Sequence, residues 1–347
     1  MSWLSKRRRR AGRYTWLVLS LLLVASFIAA LVWGAVQLPL ADVVFALLGQ
    51  APAEAEYTVQ IMQSIRLPRA LLALCVGALL AISGALLQGL FRNPLADPSL
   101  IGVSAGASMG ASLVIVTGIV GSGALAGLSL VALGAFVGGC LAVGLVYRAS
   151  TSATGTSVTT MLLMGIAVSA LAGSVTGLLE YFADNESLRR ISLWRMGGLD
   201  GATGWRALLA GSVLVVQLLA MGYFARPLNA LLLGESQARH LGVDVERVKI
   251  HLIVLVAAGV GMAVAMAGVI AFVGLVVPHM VRLWVGPDHR QLLPLSALGG
   301  ASLLLLADVL ARTLLAPVEL PVGLITAILG APFFIVLLRQ WREGELG

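Results

Sequence analysis

Apolar runs of about 20 residues recur along most of this chain, and no other feature restricts its folding so severely. About 20 helical residues cross the roughly 30 Å hydrocarbon layer of a bilayer. Within that layer every backbone N–H and C=O must be paired inside the protein. Hydrophobic residues make up 59 % of the sequence and charged residues 11 %, with a mean hydropathy of +0.98. A soluble chain carries roughly 25 % charged residues. The composition therefore cannot clothe a water-facing surface, and an all-α, polytopic membrane protein is expected.

Polar breaks divide the sequence into about ten spans: 16–36, 67–90, 98–118, 122–147, 158–182, 205–224, 251–270, 271–285, 292–314 and 321–340. The nearly continuous stretch 251–284 needs a reversal near 268–274, and a short turn is expected at 121–127. Residues 1–15 read as a basic arm, and 16–347 as one transmembrane domain. The first run is too long for a signal-peptide core and lacks a convincing cleavage site, so it reads as a retained span.

The formal charge is +7, and its placement is informative. The "KRRRR" cluster at 6–10 precedes the first span, the usual mark of a cytoplasmic flank. With that end inside, 16 of the 23 Lys and Arg residues fall on the inner side, which fits ten spans with both termini cytoplasmic. Nucleic-acid binding is not expected of so apolar a chain. Cys75 and Cys140 lie within apolar runs, which argues against a disulfide framework and for small core residues. No ligand cluster suggests a resident metal or cofactor.

In "GVSAGASMG" (102–110) glycines recur at four-residue spacing, which lets helices approach closely. It lacks the strand and glycine order of a dinucleotide fingerprint.

One segment breaks the apolar pattern. In "LLLGESQARHLGVDVERVKIH" (231–251), Ala238, Leu241, Val245 and Val248 fall on one helical stripe, and charged residues cover the other faces. Gly242 should divide it into two short helices. The residues allow a solvated loop, a surface helix or a docking face. Balanced charges and absent aromatics weaken the surface-helix reading.

"LGESQARHLGV" (233–243) resembles the coupling-helix segment of type II ABC importer permeases of the iron-siderophore, haem and vitamin B12 class. "RLPRALLALCVGALLAISGALLQGLFRNPLADPSLIGVSAGAS" (66–108), "GVIAFVGLVVPHMVRLWVGPDHRQLLP" (268–294) and "LLLADVLARTLLAPVELPVGLITAILGAPFFIVLL" (304–338) are similar to the same family. The resemblance covers nearly everything after about residue 57. It implies a homodimer of ten-helix subunits with two ATP-binding subunits, docked on coupling helices at about 234–249. Glu235, Ala238, Arg239, Leu241, Gly242 and Val243 would form that contact. The chain has no GxxxxGK[ST] loop. It is not expected to be an enzyme, and ATP with magnesium belongs to the partner.

Arg66, Arg69 and Arg312 stand at outer span ends, against the inside bias. Capping or lipid-phosphate contact would explain them. By resemblance to the vitamin B12 member they would dock a periplasmic substrate-binding protein, with Arg189, Arg190 and Arg195 extending the patch. Charge pairing of that kind steers encounter. The fifth span would line the translocation path, with Ser157, Thr159, Thr160 and Met164 at the gate. Methionine suits irregular ligands and helix packing alike. Asp308 and Arg312, one turn apart, are placed to pair. His279 in "VVPHMVR" reads as structural rather than as a haem ligand.

The sequence thus suggests an inner-membrane importer permease for an iron complex, haem or a ferric siderophore. Vitamin B12 import by the same machinery is the alternative. A gradient-driven secondary transporter is the rival from another class, thinly supported by Asp308 alone.

Overall fold

The structure, a computed structural model, describes residues 2–34, 36, 38, 39, 41, 43, 45, 56–118, 130–153 and 155–344. The turn expected at 121–127 lies outside them.

Helices dominate the described residues. α1 (Ser2–Val32) is followed by α2 (Glu56–Ile61), a π-helical turn (Met62–Arg66) and α3 (Leu67–Leu90). Then come α4 (Val103–Val116), α5 (Leu130–Ser150), a hairpin of β1 (Thr151–Ser152) and β2 (Gly155–Thr156), α6 (Val158–Phe182) and α7 (Asn185–Arg195). The chain continues through α8 (Gly204–Leu231), α9 (Glu235–His240), α10 (Val245–Ala267), α11 (Val273–Val285), α12 (His289–Thr313) and α13 (Val322–Gly344). Among the described residues, seven helices are long and apolar enough to cross a membrane, and three shorter apolar helices accompany them. Together they follow the ten expected spans in order. The proposed division at residue 15 falls inside α1, which runs unbroken.

Local chemistry sets where helices begin. Ser157, Asp184, Thr203, Asp244 and Asp288 precede α6, α7, α8, α10 and α12. Each side-chain oxygen accepts a backbone N–H from the following turn. Such a cap contributes about 1 kcal/mol. The reversal expected at 268–274 is present: α10 stops at Gly268 (φ +68°), and α11 starts after Phe272, also at φ +68°.

α3 is the central post, 89 % buried over its most apolar window, whereas α6 is 22 % buried over its own. α3 packs on α8, α10, α11 and α12. The α4–α5 contact uses the expected glycines: a β-carbon on Gly110 would overlap the carbonyl of Gly134, and one on Gly138 the carbonyl of Gly106. Such crossings suit lipid, where close van der Waals packing replaces the hydrophobic drive between helices. Cys75 is buried and Cys140 partly so, both as free thiols.

Candidate functional site

Three regions hold the residues singled out by sequence. The first is a polar corner where α8 turns through α9 into α10. Gly234 (φ +107°) and Gly242 (φ +81°) make the bends, in a backbone region that glycine enters without strain. Gly242 does end α9, but the second expected short helix is instead the first turn of α10. The apolar stripe is also corrected. Ala238, Val245 and Val248 are buried in the chain itself, while Leu241 points outward, 64 % exposed. The outward face comprises Leu233, Arg239, Leu241 and Gly242, with Val243 half-buried. Glu235 turns inward and accepts from Lys249 Nζ at 2.8 Å.

Lys249 is the residue that sequence reasoning missed here. Its ammonium also donates to the Thr156 carbonyl at 2.7 Å and to Glu246 Oε1 at 3.2 Å. Glu246 Oε2 accepts the Thr156 N–H at 2.9 Å. The Glu246–Lys249 spacing of one helical turn is visible in sequence; the hairpin contact, 93 residues away, is not.

Beside this corner lies the second region, the start of α6. Ser157 accepts from the N–H of Thr160 at 3.2 Å and sits 3.0 Å from its hydroxyl. Thr159 is exposed, and Thr160 and Met164 are half-buried. Only one stripe of α6 is covered, at Met161, Gly165, Val168, Ala172 and Thr176. A cleft of about 480 Å³ between α4 and α6 brings Ser104 and Ser108 together with Ser169. These hydroxyls give the flank of α6 a polar lining.

At the other ends of the spans lies the third region. Arg66, Arg69 and Arg312 do not form an open patch: they are 3 %, 6 % and 5 % exposed. Arg69 Nε donates to Asp308 Oδ1 at 2.9 Å, and its Nη1 to Glu319 Oε2 at 2.7 Å. Arg312 Nε lies 3.0 Å from Asp308 Oδ2 and its Nη2 reaches the Ala30 carbonyl at 3.1 Å. Arg66 donates to the carbonyls of Leu31 and Val32 at the end of α1 and of Val36 just beyond it. A buried guanidinium needs such partners, because desolvation without them is costly. The expected Asp308–Arg312 pair is therefore present, within a larger cluster. Arg189 and Arg190 on α7 are exposed, as is Arg195, which pairs with Glu180 at 2.8 Å. His279 is buried on α11. No cluster of metal-ligating side chains occurs among the described residues.

A family model, that of the FecCD transport family, matches residues 22–340. The chain is 45 % identical over 285 residues to the hemin transport system permease protein of Yersinia pestis, covering 82 % of this chain and 84 % of that protein. It is 44 % identical over 283 residues to the cobalamin import system permease protein of Halobacterium salinarum, covering 81 % and 73 % respectively. A solved metal-chelate type ABC transporter in an inward-facing conformation aligns with a TM-score of 0.79 and 34 % identity. That alignment covers 93 % of this chain and 98 % of the other.

Proposed function

This chain belongs to the FecCD transport family and is a permease of the ABC importer type, and on that premise we propose that it carries an iron complex, haem or a ferric siderophore, into a bacterial cytoplasm. The cargo arrives on a periplasmic binding protein. Two copies of the chain form the path in the inner membrane, with both termini cytoplasmic. Two separate ATP-binding subunits supply the energy, so the chain itself catalyses nothing.

The carrying observation is the α9 corner. A soluble-type helix, held by charged contacts, presents Leu233 and Leu241 at 65 % and 64 % exposure on the side that the basic residues assign to the cytoplasm. Exposed leucines on a rigid mount suit a protein partner. ATP-driven movement of that partner shifts α9, and access alternates between the two faces of the membrane. The largely uncovered α6, with its hydroxyl-lined flank, supplies the path, and Ser157, Thr159, Thr160 and Met164 the gate at its start. On the opposite side, Arg66, Arg69 and Arg312 dock the binding protein, and the exposed Arg189 and Arg190 extend that charge to the surface.

Relatives named for hemin and for cobalamin match at 45 % and 44 % identity, which supports vitamin B12 import as a second reading. The test is gentle extraction with the ATP-binding subunits, followed by uptake assays in sealed vesicles with the binding protein. ATP-dependent uptake of haem or a ferric siderophore, and not of cobalamin, is expected. Uptake of cobalamin alone selects the second reading. A chain that purifies without an ATPase and transports without ATP overturns both.

A further inference from the structure

Lys249 holds three pieces of chain together at one atom. An ammonium has three N–H donors and no acceptor. Here they go to Glu235 on α9, to Glu246 on α10 and to the backbone carbonyl of Thr156 on β2, at 2.8, 3.2 and 2.7 Å. The lysine side chain is 2 % exposed, so water does not stand in when a partner leaves. Two further contacts make the hairpin side of the junction tight. Glu246 Oε2 receives the Thr156 N–H at 2.9 Å. A β-carbon on Gly155 would stand 2.9 Å from Glu246 Oε1, so the hairpin backbone rests directly against the carboxylate.

The next residue, Ser157, caps α6. From the α9 corner to the first turn of α6 the route is therefore two hydrogen bonds at Lys249 and one peptide step. We propose that Lys249 is a positioning residue which makes α9, the β1–β2 hairpin and the start of α6 move as one body. Movement imposed on α9 thus reaches the helix beside the path. A buried ammonium separated from a carboxylate is strongly disfavoured, so the three pieces shift together rather than slide apart. The inference rests on the reading that α9 receives the ATPase.

The test uses the assembled transporter, permease with its ATP-binding subunits and binding protein, in proteoliposomes. Lys249→Met keeps the aliphatic stem and removes the charge. The expected result is an intact complex with ATP hydrolysis within about twofold of the original and at least a tenfold fall in cargo moved per ATP. Lys249→Arg, which keeps the charge and several donors, should recover at least a third of that ratio. Glu246→Gln, read by the same ratio, covers the case in which Lys249→Met does not assemble; a fall of at least threefold is expected. An unchanged ratio in the variant that assembles overturns the proposal. So does a parallel loss of hydrolysis and transport through loss of the ATPase subunits, which would confine Lys249 to shaping the docking face. If the unaltered permease shows no ATP-dependent transport, the parent reading fails instead.

Discussion

Asp308→Asn is the sharpest probe of the buried charge cluster. Asp308 is fully buried and faces two guanidinium groups, Arg69 at 2.9 Å and Arg312 at 3.0 Å. Asparagine keeps the shape and one acceptor but removes the charge. The two arginines, both nearly buried, then face each other with less compensation. Removing one partner of a buried pair costs about 3–5 kcal/mol, and the retained acceptor puts Asp308→Asn near the lower end. Glu319 provides the internal control. It sits 2.7 Å from Arg69, but its side chain is 38 % exposed. Water screens that pair, so Glu319→Gln should cost no more than about 1 kcal/mol.

The assay is thermal loss of monodisperse protein in lipid nanodiscs, read as a ranking because such unfolding is irreversible. At about 2–4 °C per kcal/mol for a large domain, Asp308→Asn should lower the midpoint by about 6–12 °C. Glu319→Gln should lower it by less than about 4 °C on the same scale. A third arm tests the desolvation argument. Replacing a whole buried ionic set with apolar residues is often neutral or stabilising. Arg69→Met, Asp308→Leu and Arg312→Met combined should therefore melt above Asp308→Leu alone. Equal shifts for Asp308→Asn and Glu319→Gln, or a triple variant worse than the single one, would refute the reasoning.

Three other changes separate packing from partner contacts. Gly110→Leu forces α4 off α5, because even a β-carbon overlaps the Gly134 carbonyl; overpacking of this kind costs about 1–3 kcal/mol or more, visible as a lower midpoint and reduced yield. Leu241→Asp alters a side chain 64 % exposed, so the permease should keep its thermal midpoint while affinity for the ATPase subunits falls at least about tenfold, or 1.4 kcal/mol; an unchanged affinity would remove Leu241 from that contact. Arg189→Glu with Arg190→Glu should slow capture of the binding protein about tenfold at low salt and much less at high salt, the mark of steering by exposed charge; a salt-independent rate would assign the docking elsewhere.

What was legible in sequence was what depends on neighbours along the chain. Spans follow from unbroken apolar length, and the reversal near 268–274 follows from a stretch too long for one crossing. Gly242 ends α9 because a left-handed residue was needed there. Partners distant along the chain were not legible. The stripe Ala238, Val245 and Val248 has the same periodicity whether it faces a partner or its own α8–α10 corner, and burial chose the latter. The partners of the arginines were hidden for the same reason: Arg69 finds Asp308 239 residues away. Counting Arg66, Arg69 and Arg312 singly against a topological bias made each look like a surplus charge. Counted with the two carboxylates at the same end, Asp308 and Glu319, they leave a single arginine over. The fold supplies that one, Arg66, with three backbone carbonyls from the end of α1 and the residues just beyond it. A helix end exposes carbonyls that nothing else in the helix can satisfy, so the surplus cation and the open helix end answer each other. Charges at one end of a bundle are thus read as a set, with helix ends included as acceptors, before any of them is assigned to a partner.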